Sequence, residues 1–250
     1  MLGWPQQQAY DRAITIFSPD GRLYQVEYAR EAVKRGAAAL GLRTTESVIL
    51  LVDKGEVGPL VEATSIEKLH KVDTHLAIAT AGHVADGRHL VDFARRQAQI
   101  ERLRYAEPLG VEAITKTITD YMQLYTQSGG VRPFGVALLI GGIENGAPRL
   151  YEADPGGAPR EWRATAIGGD HASLLDELET RYADDLDHDE GLGVALSSLA
   201  EVMGGPLRPD GVGISAIMAD PVEYVQYGVR DIETRLDALD LLDEPSDDAS

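Results

Sequence analysis

The order of the apolar segments limits this chain more than any single motif. From Ala37 to Val225, short strand-like runs alternate with two pairs of amphipathic helical stretches. Ala37–Leu42 and Val48–Val52 flank a polar segment and predict a hairpin, and Ile66, Leu69 and Leu76–Ala79 predict two further strands. A long helix follows over Val84–Tyr105, with Leu90, Val91, Ala94 and Ala98 on one face; Pro108 and Gly110 break it. A second helix carries Ile114, Ile118, Tyr121 or Met122, and Tyr125 at helical spacing and stops at Gln127–Gly130. Val136–Ile140 is a continuous apolar run, as expected of a strand buried on both faces. Asn145–Gly146 turns it into Arg149–Tyr151, and Asp154–Gly157 turns again toward strands near Glu161 and Ala164–Ile167. Leu174, Leu175, Leu178 and Tyr182, then Leu192, Leu196, Leu199 and Val202, mark the second helix pair. Val212–Met218 and Glu223–Val225 are the last strands, before a terminal helix at Ile232, Leu236 and Leu239. The simplest way to bury all these faces is two stacked sheets with a helix pair on each outer side. The expected fold is therefore α+β, a four-layer α-β-β-α sandwich. It forms one domain over 13–240, between an N-terminal segment (1–12) and an acidic, disordered tail (241–250).

Composition removes several function classes. The chain has no cysteine, so disulfides, thiolate metal sites and a cysteine nucleophile are all excluded. No apolar run approaches the ~20 residues of a membrane span, and no secretory signal opens the sequence, which points to the cytoplasm and away from membranes. Net charge is −18, from 23 basic and 41 acidic residues. Such an excess suits ordinary solubility or a cytoplasm of high salt, the second being the sharper reading. No basic patch is present to hold nucleic acid. No G-x-S-x-G, P-loop or H-E-x-x-H pattern occurs. His70 with His75, and His83 with His89, lack the spacing of a helical metal pair, and no cofactor is expected. The Gly-Gly pairs at 129–130, 141–142, 156–157, 168–169 and 204–205 read as turn residues.

The stretch Tyr10–Gly36 stands in front of this framework. Ser18 is placed to cap a helix and Pro19 to open it. Leu23, Val26, Arg30 and Val33 share a face with Tyr24 and Tyr28 beside it, and Gly36 stops the helix after Lys34 and Arg35. Its residues carry more than periodicity. Tyr10-Asp11-Arg12, Phe17-Ser18-Pro19-Asp20-Gly21-Arg22-Leu23 and Gln25-Val26-Glu27-Tyr28-Ala29 resemble the N-terminal segment of archaeal proteasome α-subunits. Ser65–Lys68, Val84–Arg96, Gly129–Gly135 and Ala164–Gly168 fit the same family, so the resemblance runs from about Tyr10 to Leu239.

That resemblance implies the four-layer fold shared with N-terminal-nucleophile (Ntn) hydrolases, plus an extra N-terminal helix. It implies a non-catalytic subunit of the 20S core particle, one of seven in an outer ring that stacks on catalytic β-subunits. In the family's catalytic subunits an N-terminal Thr opens the first strand, and its own amine assists the hydroxyl. Here Ala37 falls at that place, with no hydroxyl and no free amine, although Asp53 and Lys68 echo the partners of such a site.

The resemblance assigns three further sites. Tyr10, Asp11, Arg12, Pro19 and Tyr28 match the gate that holds the N-terminal tails; their alternative role is to dock the helix. Lys68, supported by backbone N–H groups at Gly82 and His83, would receive the C-terminal carboxylate of an activating AAA ATPase; the alternative is a surface lysine beside Glu67. Ser128, Gly129 and Gly130 match the narrow entrance of the ring. Partners would be sibling or identical α-subunits, β-subunits, the ATPase and unfolded chains in transit. A catalytic Ntn peptidase and an independent ring scaffold are the alternatives.

Overall fold

The computed structural model describes residues 16–55, 58, 60–62 and 65–243. The chain begins there with a tight turn, Ser18–Gly21, and helix α1 (Tyr24–Lys34). The sandwich follows. Strands β1 (Ala39–Arg43) and β2 (Ser47–Asp53) form the first hairpin, and β3 (Leu69–Asp73) and β4 (Leu76–Gly82) the second. Helices α2 (Val84–Tyr105) and α3 (Val111–Gln127) come next, and then β5 (Val136–Glu144), β6 (Ala147–Ala153), β7 (Pro159–Glu161) and β8 (Ala164–Ile167). The second helix pair is α4 (His171–Arg181) and α5 (His188–Met203), and β9 (Val212–Ala219), β10 (Val222–Gln226) and α6 (Val229–Ala238) complete the chain.

Two antiparallel five-stranded sheets result, ordered β10-β9-β2-β1-β8 and β3-β4-β5-β6-β7. Three apolar clusters define the layers. Val48, Leu50, Ala77, Leu139, Leu150 and Ile217 fill the space between the sheets. Leu90, Ala94, Ile114, Ile118 and Met122 of α2 and α3 cover the outer face of the β3–β7 sheet. Leu174, Leu178, Leu192, Leu196 and Leu199 of α4 and α5 cover the other. This is the α-β-β-α order that the alternation of segments predicted, with one helix pair per outer face.

Differences from the sequence reading are local. Ser18 does not cap α1. Its Oγ accepts from Arg22 N (3.1 Å) and its backbone N donates to Arg22 O (2.9 Å). That turn consumes the Ser-Pro-Asp-Gly segment, with Gly21 at φ 74°, and α1 starts later, behind Leu23. The buried face of α1 is Val26, Ala29 and Val33. Arg30 points to the rim, where it pairs with Asp154. Ile66 lies outside β3.

Gly141 and Gly142 are not turn residues either but sit inside β5, buried. A Cβ on Gly141 would come within 2.7 Å of Val48 Cγ1 on the opposing sheet. Gly141 therefore lets the two sheets approach closely, while a Cβ on Gly142, on the other face, would meet His75 O and Val111 of α3; dipeptide composition reveals neither role. The gate residues Tyr10, Asp11 and Arg12, and the acidic tail from Glu244 on, lie outside the described residues.

Candidate functional site

The joint between α1 and β1 is where the catalytic question is decided. Val33 of α1 enters the core between the sheets, and Gly36 and Ala37 lead directly into β1. Gly36 O accepts from Gly169 N (2.7 Å), and a Cβ on Gly36 would be driven into the backbone N of Gly82. The helix is thus knitted to β4 and to the β8–α4 turn through bare backbone. The expected partners of a nucleophile do gather beside it. Asp53 N donates to Ala38 O (3.0 Å), and Lys68 Nζ donates to Asp53 O (2.7 Å). Asp53 Oδ1 accepts from Gly55 N (2.8 Å). Burial pushes the Lys68 ammonium below its usual pKa, and Asp53 opposes the shift. What is missing is the attacking atom: Ala37 carries only a methyl, and its amide nitrogen is bonded to Gly36. This arrangement has no group able to attack a carbonyl.

The gate and activator residues are distributed differently from the sequence expectation. Pro19 is exposed at the tip of the Ser18–Gly21 turn. Tyr28 is half-exposed on α1, its ring stacked on Tyr24 at 6.5 Å. Tyr28, Glu31 and Arg35 share a cleft of about 430 Å³ with Gly82 and His83. Lys68 opens instead into a separate cleft of about 450 Å³ with Lys54, Lys71 and Arg95. Gly82 and His83 line a different cleft from Lys68. The His83 N–H is also engaged, donating to Gly135 O (2.8 Å), so it cannot serve a carboxylate as expected. Glu67 is not the partner of Lys68; the ammonium turns inward to the Asp53 carbonyl.

Ser128, Gly129 and Gly130 form an exposed loop at the end of α3. Ser128 Oγ donates to Leu124 O (2.8 Å), and Gly130 has φ 88°, a backbone conformation that favours glycine. Apart from their chain neighbours, no atom of the described residues lies within 4 Å of a Cβ built at 129 or 130, so the tip stands clear of the other described residues.

A buried carboxylate that sequence reasoning missed holds this loop. Asp86, in the first turn of α2, accepts both Arg132 guanidinium nitrogens (Oδ2 2.6 Å, Oδ1 2.8 Å) and the Gly135 amide (2.8 Å). His83 Nδ1 lies 3.3 Å from Oδ1. Burial pushes the Asp86 carboxyl upward, but the Arg132 hydrogen bonds, the Gly135 N–H and the Arg132 charge, with nearby His83 acting in the same direction, outweigh it and leave it below the usual carboxylate range. Nothing in the local pattern links residues 86 and 132; the pairing exists only because α2 starts beside the end of the loop. Four other histidines bond within the chain: His75 Nε2 to Leu109 O (2.9 Å), His89 Nε2 to Tyr121 OH (3.0 Å), His171 Nδ1 to Gly168 O (3.1 Å) and His188 Nε2 to Tyr227 OH (2.6 Å). Among the described residues no group of side chains is arranged to hold a metal ion, and no helix is long and apolar enough to cross a membrane.

Comparison with known proteins agrees with this geometry. The family model for proteasome subunits matches residues 33–217, and the model for the N-terminal signature of A-type proteasome subunits matches residues 10–32. The boundary between the two matches falls in the last turn of α1. The proteasome α-subunit of Natronomonas pharaonis is 58% identical over 250 residues, covering 100% of this chain and 98% of its own length. Proteasome α-subunit 1 of Haloferax volcanii is 57% identical over 99% of this chain and 98% of its own length. Proteasome α-subunit 1 of Haloarcula marismortui is likewise 57% identical, over 99% of this chain and 95% of its own. With the added helix in front of a sandwich that keeps the shape of a hydrolase but not its nucleophile, the chain belongs to the proteasome α-subunit family, the non-catalytic subunits of the 20S core particle.

Proposed function

We propose that the chain works in cytoplasmic protein degradation as the outer-ring component of a 20S particle. Seven copies, or a mixture with sibling α-subunits, stack on a ring of catalytic β-subunits and limit access to unfolded chains. Residues 1–12 act as the gate segment, with Tyr10, Asp11, Arg12, Pro19 and Tyr28 setting its conformation. The loop Ser128–Gly130 narrows the entrance. Lys68 receives the terminal carboxylate of an activating ATPase, and Gly82 and His83 belong to the adjoining cleft beside Tyr28.

One observation carries this reading. Helix α1 runs straight into β1 through Gly36 and Ala37, so the position where a catalytic sister would present a nucleophile is an ordinary chain segment pinned to β4 and β8. The fold then has value as a ring-forming shell. The exposed tip of 128–130, clear of the other described residues, supports a place next to neighbours or the axis.

The test is reconstitution with catalytic β-subunits in molar salt. Electron microscopy should show sevenfold rings. Deleting Met1–Arg12 should raise the rate of peptide hydrolysis by the assembled particle. An unchanged rate in intact particles would remove the gate from these residues.

A further inference from the structure

We propose that His188 is an acid-labile latch on the α4–α5 side of the sandwich. As a neutral imidazole it ties the β1–β2 turn, the first residue of α5 and the lead into α6 together, and taking up a proton breaks the tie. Three pieces of chain meet at this ring. His188 opens α5 directly behind the capping residue Asp187, whose carboxylate accepts from Glu190 N (2.9 Å). Its Nδ1 lies 2.8 Å from Ser47 Oγ at the start of β2, and its Nε2 lies 2.6 Å from the hydroxyl of Tyr227, which directly precedes the capping residue of α6. The His188 and Tyr227 rings stack, with centroids 6.3 Å apart. Beside them Thr45 donates to Leu186 O from its N (3.0 Å) and its Oγ1 (3.1 Å), so the β1–β2 and α4–α5 turns are joined at two points.

The hydrogens available fix the state of the ring. Thr44 Oγ1 accepts from Glu46 N (3.1 Å) and Ser47 N (2.9 Å), which uses both of its lone pairs. Its own hydrogen goes to Ser47, whose O (3.3 Å) and Oγ (3.0 Å) are both within reach. The hydroxyl of Ser47, a residue with no exposed surface, is left with one acceptor, His188 Nδ1. Nδ1 therefore carries the lone pair, and Nε2 carries the hydrogen that it donates to Tyr227 OH. A proton added at Nδ1 meets the Ser47 hydroxyl hydrogen head on. Either the ring leaves Ser47, or the hydroxyl turns away and its buried hydrogen goes unpaired.

The charges around the ring do not relieve this conflict. Arg235 of α6 lies over the Tyr227 ring (5.1 Å) and opposes a second cation beside it. Asp189 favours a charged ring but is bonded to Arg235 (2.9 Å), Asp187 is engaged in the cap, and Glu46 on the β1–β2 turn is exposed. Burial is the largest influence and holds the imidazole below the ordinary histidine pKa. The unfolded chain therefore binds more protons in the interval between the folded and unfolded values. The latch contributes its full stability above the ordinary histidine pKa and loses it as pH falls through the lowered folded one. The consequence is local: the starts of α5 and α6 come free of β2 while the sheets stay packed.

The experiment titrates each histidine of the full chain through the slow deuterium exchange of its ring C2 hydrogen, read by mass spectrometry at constant salt. His188 should titrate below the ordinary histidine value. Ser47→Ala removes a donor that only the neutral ring uses, so the His188 titration point should rise by about half a pH unit or more. Tyr227→Phe removes an acceptor that both states use, the charged one more strongly, so the point should stay or fall. Backbone amide exchange in the native chain, corrected for the pH dependence of exchange itself, should rise at least about threefold at residues 44–48, 186–192 and 226–232 on acidification through the titration point, and stay constant in β4 and β5. A His188 titration at or above the ordinary value, a Ser47→Ala point that fails to rise, or unchanged exchange in those three segments would each overturn the proposal. If a variant fails to fold, the titration and exchange of the native chain still give one of these results.

Discussion

Asp86 offers the most direct test of how the entrance loop is held. Asp86→Asn keeps the side-chain shape but replaces one oxygen with an NH2 group. The present carboxylate accepts three donors within 2.8 Å: two from Arg132 and the Gly135 amide. Asparagine can keep one or two and must point a donor at another. A hydrogen bond to a charged group contributes about 1.5–3 kcal/mol, but the Arg132 side chain is 58% exposed, so solvent discounts its share. The Gly135 N–H is buried and loses most if left unpaired. A total of about 2 kcal/mol follows, which for a chain of this size lowers the melting temperature by roughly 4–8 °C.

The pH dependence has a definite sign. The folded carboxyl is held below its unfolded value, so the unfolded state binds more protons in the interval between the two. Its stabilisation is complete above the unfolded carboxylate pKa and is lost as pH falls through the lowered folded value. The wild-type chain should therefore lose stability on the acid side, and Asp86→Asn should show a flatter acid limb. The assay is thermal unfolding at constant salt across that range. A variant with wild-type melting temperature, or with an equally steep acid limb, would refute the role given to this carboxylate.

Two further outcomes follow from the geometry. Gly36→Ala should cost about 3 kcal/mol, because the new methyl meets backbone rather than a movable side chain; an unchanged denaturant midpoint would mean the α1–β1 joint is looser than it stands here. Lys68→Ala should remove most of the stimulation by an activating ATPase, read as the ratio of stimulated to unstimulated peptide hydrolysis; a wild-type ratio would place the docking pocket elsewhere.

How much of this was legible beforehand differs between fold and site. The helix spans Val84–Tyr105 and 111–127 and the β5–β6 hairpin were readable because periodicity, Asn145–Gly146 and Pro/Gly breaks are local signals. The Ser18 cap failed because the Ser-Pro-Asp-Gly string suits a tight turn as well as a helix start, and closing the Ser18–Arg22 hydrogen bonds selected the turn. At the sites, residue identity supplied Ala37 and Lys68 but not their surroundings. That His83 N–H is already taken, that Lys68 and Gly82 open into different clefts, and that Asp86 clamps Arg132 are all relations across many residues of chain.

By itself, then, the sequence determined the succession of strands and helix pairs, the layer order that buries their faces, the family, and the absence of a nucleophile at residue 37. Those follow from side-chain chemistry and short-range periodicity, which every segment carries with it. Only the tertiary structure decided which backbone groups are already engaged, which lysines share a cleft, and what anchors the 128–135 loop. Hydrogen-bond partners and desolvation depend on which distant segments the sheet register brings within 3 Å, and no local pattern encodes that distance.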